Sequence, residues 1–306
     1  MKQTYFKLSF VIVLLASLIT LGTTPARAEQ KASRVKDGDT FVQKAKEGDI
    51  QAVEKYLKDR IDPNVKDRNG STALIEAAKD GRKEVVELLI AKGADVNGKD
   101  VKFGGTPLIW AAFAGKTEIV SLLLDKGADL KARENLNGLT ALLAAAVKGN
   151  IETVKFLLDK GAPVETRDRE GRTALMWAAN AGRLDTVKLL LERGAALEAT
   201  EEEKGMNALM SAAMMGRTEI VKFLLDQGAE IEKKDRDGRT ALMWAAQYGR
   251  AETISLLLGR GARADAKDRQ GNTALSWAKR SIAKQEVKQR VEELLSKAAA
   301  PESTGS

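Results

Sequence analysis

Neither cysteine nor histidine occurs among the 306 residues. Without cysteine the chain can build no disulfide scaffold, thiolate nucleophile, zinc finger or iron–sulfur ligand set, and it can carry no thioether-linked lipid. Without histidine it lacks the commonest general base and metal ligand, and with them every Ser-His-Asp and Cys-His constellation. The absence of thiols suits an oxidising compartment, where none can mispair. A membrane-length apolar run is missing too. The longest such stretch, residues 8–22, falls short of the roughly 20 residues that span a bilayer.

That stretch has the form of an export signal. Lys2 and Lys7 precede it, Val11-Ile12-Val13-Leu14-Leu15 lies inside it, and the small-x-small triplet Ala26-Arg27-Ala28 follows. We expect cleavage after Ala28 and a periplasmic or secreted mature chain; an uncleaved anchor is the alternative. The signal also distorts the charge. Its removal takes away Lys2, Lys7 and Arg27 but no acid, which reduces a net charge of +7 to +4. Overall basicity is therefore poor evidence for a nucleic-acid partner, and none is expected.

The rest of the chain is periodic. Thr-Ala-Leu or a near equivalent returns at Thr72, Thr106, Thr140, Thr173, Asn207, Thr240 and Thr273, at steps of 33 or 34 residues. Each unit opens with turn residues, as in Asp168-Arg169-Glu170-Gly171. A short helix follows, with the threonine as N-cap. A glycine (Gly81, Gly115, Gly149, Gly182, Gly216, Gly249) stops it in the left-handed region. A second helix carries apolar residues at i, i+3 and i+4, such as Val120, Leu123 and Leu124. It has an acid in its first turn and, in most units, a base near its end, an order that complements the helix dipole.

Thr106-Pro107-Leu108-Ile109-Trp110-Ala111-Ala112 and Gly93-Ala94-Asp95-Val96-Asn97 resemble the ankyrin repeat, and the resemblance extends over about residues 37–300. It implies an all-α solenoid of stacked helix-turn-helix units with β-hairpin or turn tips. Six full repeats would occupy 67–267. Capping units would lie at 37–66 and 268–300, a linker at 29–36 and a loose tail at 301–306. No single unit can bury its apolar face alone, so stability must come from stacking. The family's histidine is replaced by Ile75, Ile109, Leu143, Met176, Met210, Met243 and Ser276, so its inter-repeat hydrogen bond must give way to packing. Units three, four and six, counting the N-terminal cap as the first, carry one extra turn residue.

The resemblance further implies a protein-binding module that uses its concave face and hairpin tips. On the concave stripe of first helices the spacing places Trp110, Phe113, Val147, Lys148, Trp177, Asn180, Met214, Met215, Trp244, Tyr248 and Trp277. All four tryptophans thus share one repeat position. An aromatic, Met-rich face suggests a binding surface. Each tryptophan taken singly is equally consistent with sideways packing on the neighbouring first helix. At the tips Arg169, Arg172, Met206, Arg236 and Arg239 are candidate contacts, although a solvated loop row explains such residues as well.

Asp235-Arg236-Asp237-Gly238 begins like a calcium loop, but position twelve is Ala246, so the bidentate glutamate is missing. Asn69-Gly70-Ser71 fits a glycosylation sequon and, better, a hairpin turn. No phosphate loop, nucleophile elbow or kinase signature is found. The expectation is a monomeric, non-enzymatic scaffold without cofactor or metal, off the membrane once the signal is removed, which binds a protein. A structural, envelope-stabilising module and a secreted effector that binds host proteins are the alternatives.

Overall fold

The threonines at the start of the units, Thr240 excepted, cap their helices as the spacing implies. Thr72 Oγ1 accepts the Ile75 N–H, and Thr106, Thr140, Thr173 and Thr273 repeat the bond at N3, with Asn207 Oδ1 in the same role. Thr240 occupies the same cap position without a side-chain bond. The helices behind these caps are short. A computed structural model describes residues 37–281 and 283–299. The expected signal, linker and tail lie outside these described residues.

The N-terminal unit comprises α1 (residues 37–47) and α2 (Ile50–Lys58). Then come α3 (Ala73–Asp80) and α4 (Lys83–Ala91), α5 (Pro107–Phe113) and α6 (Thr117–Asp125), α7 (Ala141–Lys148) and α8 (Ile151–Asp159). The second half holds α9 (Ala174–Ala181) and α10 (Leu184–Glu192), α11 (Ala208–Met215) and α12 (Thr218–Asp226), α13 (Ala241–Gln247) and α14 (Ala251–Gly259). The last pair is α15 (Ala274–Lys279) and α16 (Gln285–Ala299). No strand forms among the described residues. The hairpin tips reduce to turns, with isolated antiparallel bridges at Lys66–Thr72 and Arg167–Thr173.

Helices of this length are marginal alone, so packing must hold them. The core is one continuous cluster from Phe41 to Leu295. Successive first helices meet through buried alanines such as Ala78, Ala112, Ala146, Ala179 and Ala213, while second helices set bulkier valines and leucines between them. The first helices line one side of the stack, its inner side, and the second helices line the other. Six residues at the family's histidine position, Ile75, Ile109, Leu143, Met176, Met210 and Met243, are buried, so packing does take that place.

Polar ties between repeats run along several lines. In one, the side chains of Asn64, Asn97, Glu165, Glu198 and Glu232 accept backbone N–H groups one repeat onward. The backbone N–H groups of Val101, Asn135, Arg169, Glu202, Arg236 and Arg269 each donate to a carbonyl in the preceding tip, at 2.6–2.9 Å. Lys66, Lys99, Arg133, Arg167 and Lys234 each donate to a carbonyl one repeat onward. The residue that opens the second helix reaches back to the end of the preceding first helix. Arg82 binds Lys46 O, Asn150 binds Ala112 O and Phe113 O, Arg183 binds Val147 O, Arg217 binds Asn180 O and Arg250 binds Met214 O. These donors meet the carbonyls that a helix leaves unpaired at its C-terminus.

Candidate protein-binding face

The inner face is organised by one acid per repeat. Asp235, buried in the turn before α13, accepts the Asp237 and Arg239 backbone N–H groups on Oδ1, at 2.9 and 2.8 Å. Its Oδ2 accepts the Trp244 indole N–H at 3.0 Å and Arg239 Nε at 3.1 Å. Asp168 repeats the arrangement with Glu170, Arg172 and Trp177, and Asp268 with Gln270, Asn272 and Trp277. In the longer turn of unit three, Asp100 takes the Phe103 and Gly105 N–H groups and the Trp110 indole. All four indole N–H groups are therefore tied inward to the chain's own carboxylates. The tryptophan braces its turn against its helix.

Burial raises the Asp268 carboxyl pKa, but the Asn272 amide, the Asn272 and Gln270 backbone N–H groups and the Trp277 indole outweigh it. The group is held below the usual aspartate value.

The candidate residues fall into three sets. Trp244, only 3% exposed, Met206 at 7% and Arg239 at 9% are buried and offer a partner almost no side chain, which corrects their expected place on the surface. Arg239 is drawn in because its guanidinium lies 3.8 Å from the Trp244 ring centroid and pairs with Asp235 and Asp237. Arg172 does the same over Trp177, at 4.1 Å, between Asp168 and Glu170, and is half-buried. Trp110, Phe113, Val147, Trp177, Asn180, Met214, Met215, Tyr248 and Trp277 are half-buried on the inner side, and Lys148 is exposed there. Arg169 and Arg236 are exposed at the tips, with only their backbone N–H groups engaged.

Spacing alone did not separate ring edge from ring face. The signal was nevertheless present: tryptophan occurs in the units whose turn begins with Asp100, Asp168, Asp235 or Asp268. Glu134 and Glu201 precede Ala144 and Ser211. Three further inner residues, Lys79, Lys102 and Phe103, join the site through Trp110. Phe103 and Phe113 stand edge-on to its ring, with centroids 5.7 and 5.8 Å away, and Lys79 Nζ lies 5.5 Å from it.

Among the described residues no cluster of three or more carboxylates, histidines or cysteines could hold a metal, and no helix is long and apolar enough to cross a membrane. The turn acids are consumed by backbone and indole N–H groups.

This architecture is that of a stacked-helix binding scaffold. A family model of ankyrin repeats (three copies) matches residues 41–134, 130–201, 165–235 and 209–304, and the chain belongs to the ankyrin-repeat family. The human ASB11 ankyrin repeat domain has a similar crystal structure. The match has a TM-score of 0.64 and 27% identity, and covers 72% of this chain and 96% of that one. A serine/threonine-protein kinase 12 from Arabidopsis thaliana is 45% identical over 56 residues, which are 18% of this chain and 12% of that protein. The shared stretch is no more than a small part of the kinase.

Proposed function

We propose that this chain is an exported, non-enzymatic scaffold that holds one protein partner along the inner face of its stack. One observation carries the reading. Phe113, Val147, Trp177, Met214, Met215 and Tyr248 stand partly in water in one row, while the Trp177 indole N–H and the Val147 and Met214 carbonyls are already bonded within the chain. Apolar side chains arranged in this way are ready to be covered, and an aromatic anchor at a protein interface typically contributes about 2 kcal/mol or more. The exposed Arg169 and Arg236 at the tips would orient the partner.

The N-terminal pattern of Lys2, Lys7, residues 8–22 and Ala26-Arg27-Ala28 supports export. Cell fractionation tests it; a cytosolic chain that retains Met1 would remove it. For the groove, a partner captured from the producing cell should bind a Phe113→Ala, Tyr248→Ala double variant at least about 30-fold more weakly than the unaltered chain. Neither residue donates to a turn acid, so the stack should survive the change. Equal affinity would sink the groove reading.

A further inference from the structure

The four tryptophans share one repeat position but not one electrostatic setting. Over Trp177 and Trp244 the nearest cations are Arg172 and Arg239, each neutralised by two carboxylates of its own turn, with Lys204 Nζ farther out at 6.0 Å from the Trp244 centroid. Around Trp110 the cations are lysines. Lys79 Nζ lies 5.5 Å from the Trp110 centroid, Lys102 Nζ 4.9 Å from Phe103 and Lys148 Nζ 4.4 Å from Phe113. They come from three successive repeats and converge on one three-ring cluster. Lys102 and Lys148 are exposed and have no ion-pair partner among the described residues, while Lys79 reaches only Glu76, at 3.9 Å.

The acids nearby are committed elsewhere. Asp100 is buried and bonded to two backbone N–H groups and the indole, and Glu76 accepts from Ser71 Oγ. A small cavity opens beside this cluster, lined by Ile75, Glu76, Lys79, Lys102, Phe103 and Trp110. At the adjacent tips the apolar Val101 and Leu136 are 68% and 64% exposed. The patch thus joins uncovered apolar surface to uncompensated positive charge.

We infer that this patch, at the second to fourth units, anchors an acidic peptide segment of the partner, whose aromatic or leucine side chain packs on Trp110 and Phe113 while flanking carboxylates meet Lys102 and Lys148. The inference rests on the groove reading above and adds the partner's chemistry to it. Charge complementarity selects this occupant, because an ammonium already over each ring excludes a second cation and favours an anion beside it. A single-stranded nucleic acid would also supply stacking and negative charge. It wants a continuous basic groove that tracks its backbone; here three lysines crowd one cluster, the arginines over Trp177 and Trp244 are neutralised, and Lys204 and Arg280 each stand by a single ring.

A displayed library of random 12-residue peptides, selected on the full chain, tests this. Enriched peptides should carry an aromatic residue or leucine flanked by at least two carboxylates. By fluorescence anisotropy they should bind Lys102→Glu, Lys148→Glu at least about ten-fold more weakly, lose affinity with added salt, and ignore Lys222→Glu, an exposed position on the second helix α12. Enriched peptides that are basic or neutral, acidic ones indifferent to the lysine changes, no enrichment, or tighter binding of a dT12 oligonucleotide would each overturn the proposal. If enriched peptides depend on Met214 and Tyr248 but not on the lysines, the groove reading stands and this one falls. If they depend on no inner-face residue, both fall.

Discussion

Replacing Asp235 by alanine should cost far more than a turn residue usually does. Its two carboxylate oxygens accept four donors: the Asp237 and Arg239 backbone N–H groups, Arg239 Nε and the Trp244 indole. Each buried donor left without an acceptor costs about 1–3 kcal/mol. Arg239 keeps Asp237 at 2.9 Å, so part of its charge stays compensated and the full sum is not reached. Breaking a buried pair by removing one partner costs about 3–5 kcal/mol, and we expect Asp235→Ala to fall in that range. Asp67→Ala is the control. Asp67 caps the same kind of turn through the Asn69 and Ser71 N–H groups, but it is half-buried and has no tryptophan to hold, so about 1–2 kcal/mol is expected. Urea unfolding followed by far-UV circular dichroism reads both. With an m-value of roughly 3 kcal/mol/M, Asp235→Ala moves the midpoint down by about 1–1.5 M and Asp67→Ala by about 0.5 M. An earlier, separate transition would express the same loss, since a repeat array can come apart locally. Trp244→Phe, which removes the indole bond alone, should cost about 1 kcal/mol. A double-mutant cycle with Asp235→Ala should show coupling of similar size. Equal midpoint shifts for Asp235→Ala and Asp67→Ala, or no coupling in the cycle, would refute the brace.

Arg60 is the one non-glycine residue with positive φ (63°) among the described residues, at the place where later units have Gly93, Gly127 and Gly161. Its left-handed cost should be relieved in Arg60→Gly, which gains about 0.5–1 kcal/mol and raises the melting temperature by a few degrees; an unchanged or lower value refutes this. A Cβ at Gly105 would collide with Trp110 Nε1, so Gly105→Ala should displace the indole, cost about 1–3 kcal/mol and shift the Trp110 indole N–H resonance, and an unmoved resonance would contradict the close approach. The Asp268 carboxyl has a folded pKa below its unfolded value of about 3.9, so its contribution is complete above that value. It is lost as the pH falls from there through the folded pKa, and the Trp277 indole N–H should exchange faster with solvent in acid; Asp268→Asn should abolish that pH dependence.

Much of the fold was legible because ankyrin chemistry is local. Thr72 and its equivalents cap helices through a residue three positions away, Gly81 ends one by its own left-handed φ of 77°, and apolar spacing selects the buried faces. Packing at Ile75 and Met210 in place of histidine follows from their side chains alone. The binding face was less legible, because exposure there depends on where a ring edge points. Trp244 and Arg239 carry the residue types of a surface anchor and a charged tip, yet one carboxylate draws both inside. The bases after each helix-ending glycine, such as Arg183 and Arg250, were hidden for a similar reason. Their acceptors are backbone carbonyls 36 residues earlier, which no side-chain pattern records.

The turns also dictate the relief of the inner face. Where the turn has its ordinary length, an aspartate reaches the N–H groups two and four residues ahead with one oxygen and leaves the other for an indole, as Asp168 does for Trp177. In units four and six the turn is one residue longer and the acid is glutamate. Glu134 spends Oε1 on Asn137 and Leu139 and Oε2 on Leu136; Glu201 spends its oxygens on Glu203, Lys204 and Met206. Each glutamate thus accepts three backbone N–H groups, and the helix position that carries an indole in other units holds Ala144 or Ser211. Unit three keeps both the longer turn and its tryptophan: Asp100 accepts two backbone N–H groups and the Trp110 indole. Large and small residues alternate along the stack from Trp110 through Ala144, Trp177 and Ser211 to Trp244, and each of these tryptophans is tied to the aspartate of its own turn. A partner would meet rings whose indole edges are held by carboxylates that it never touches.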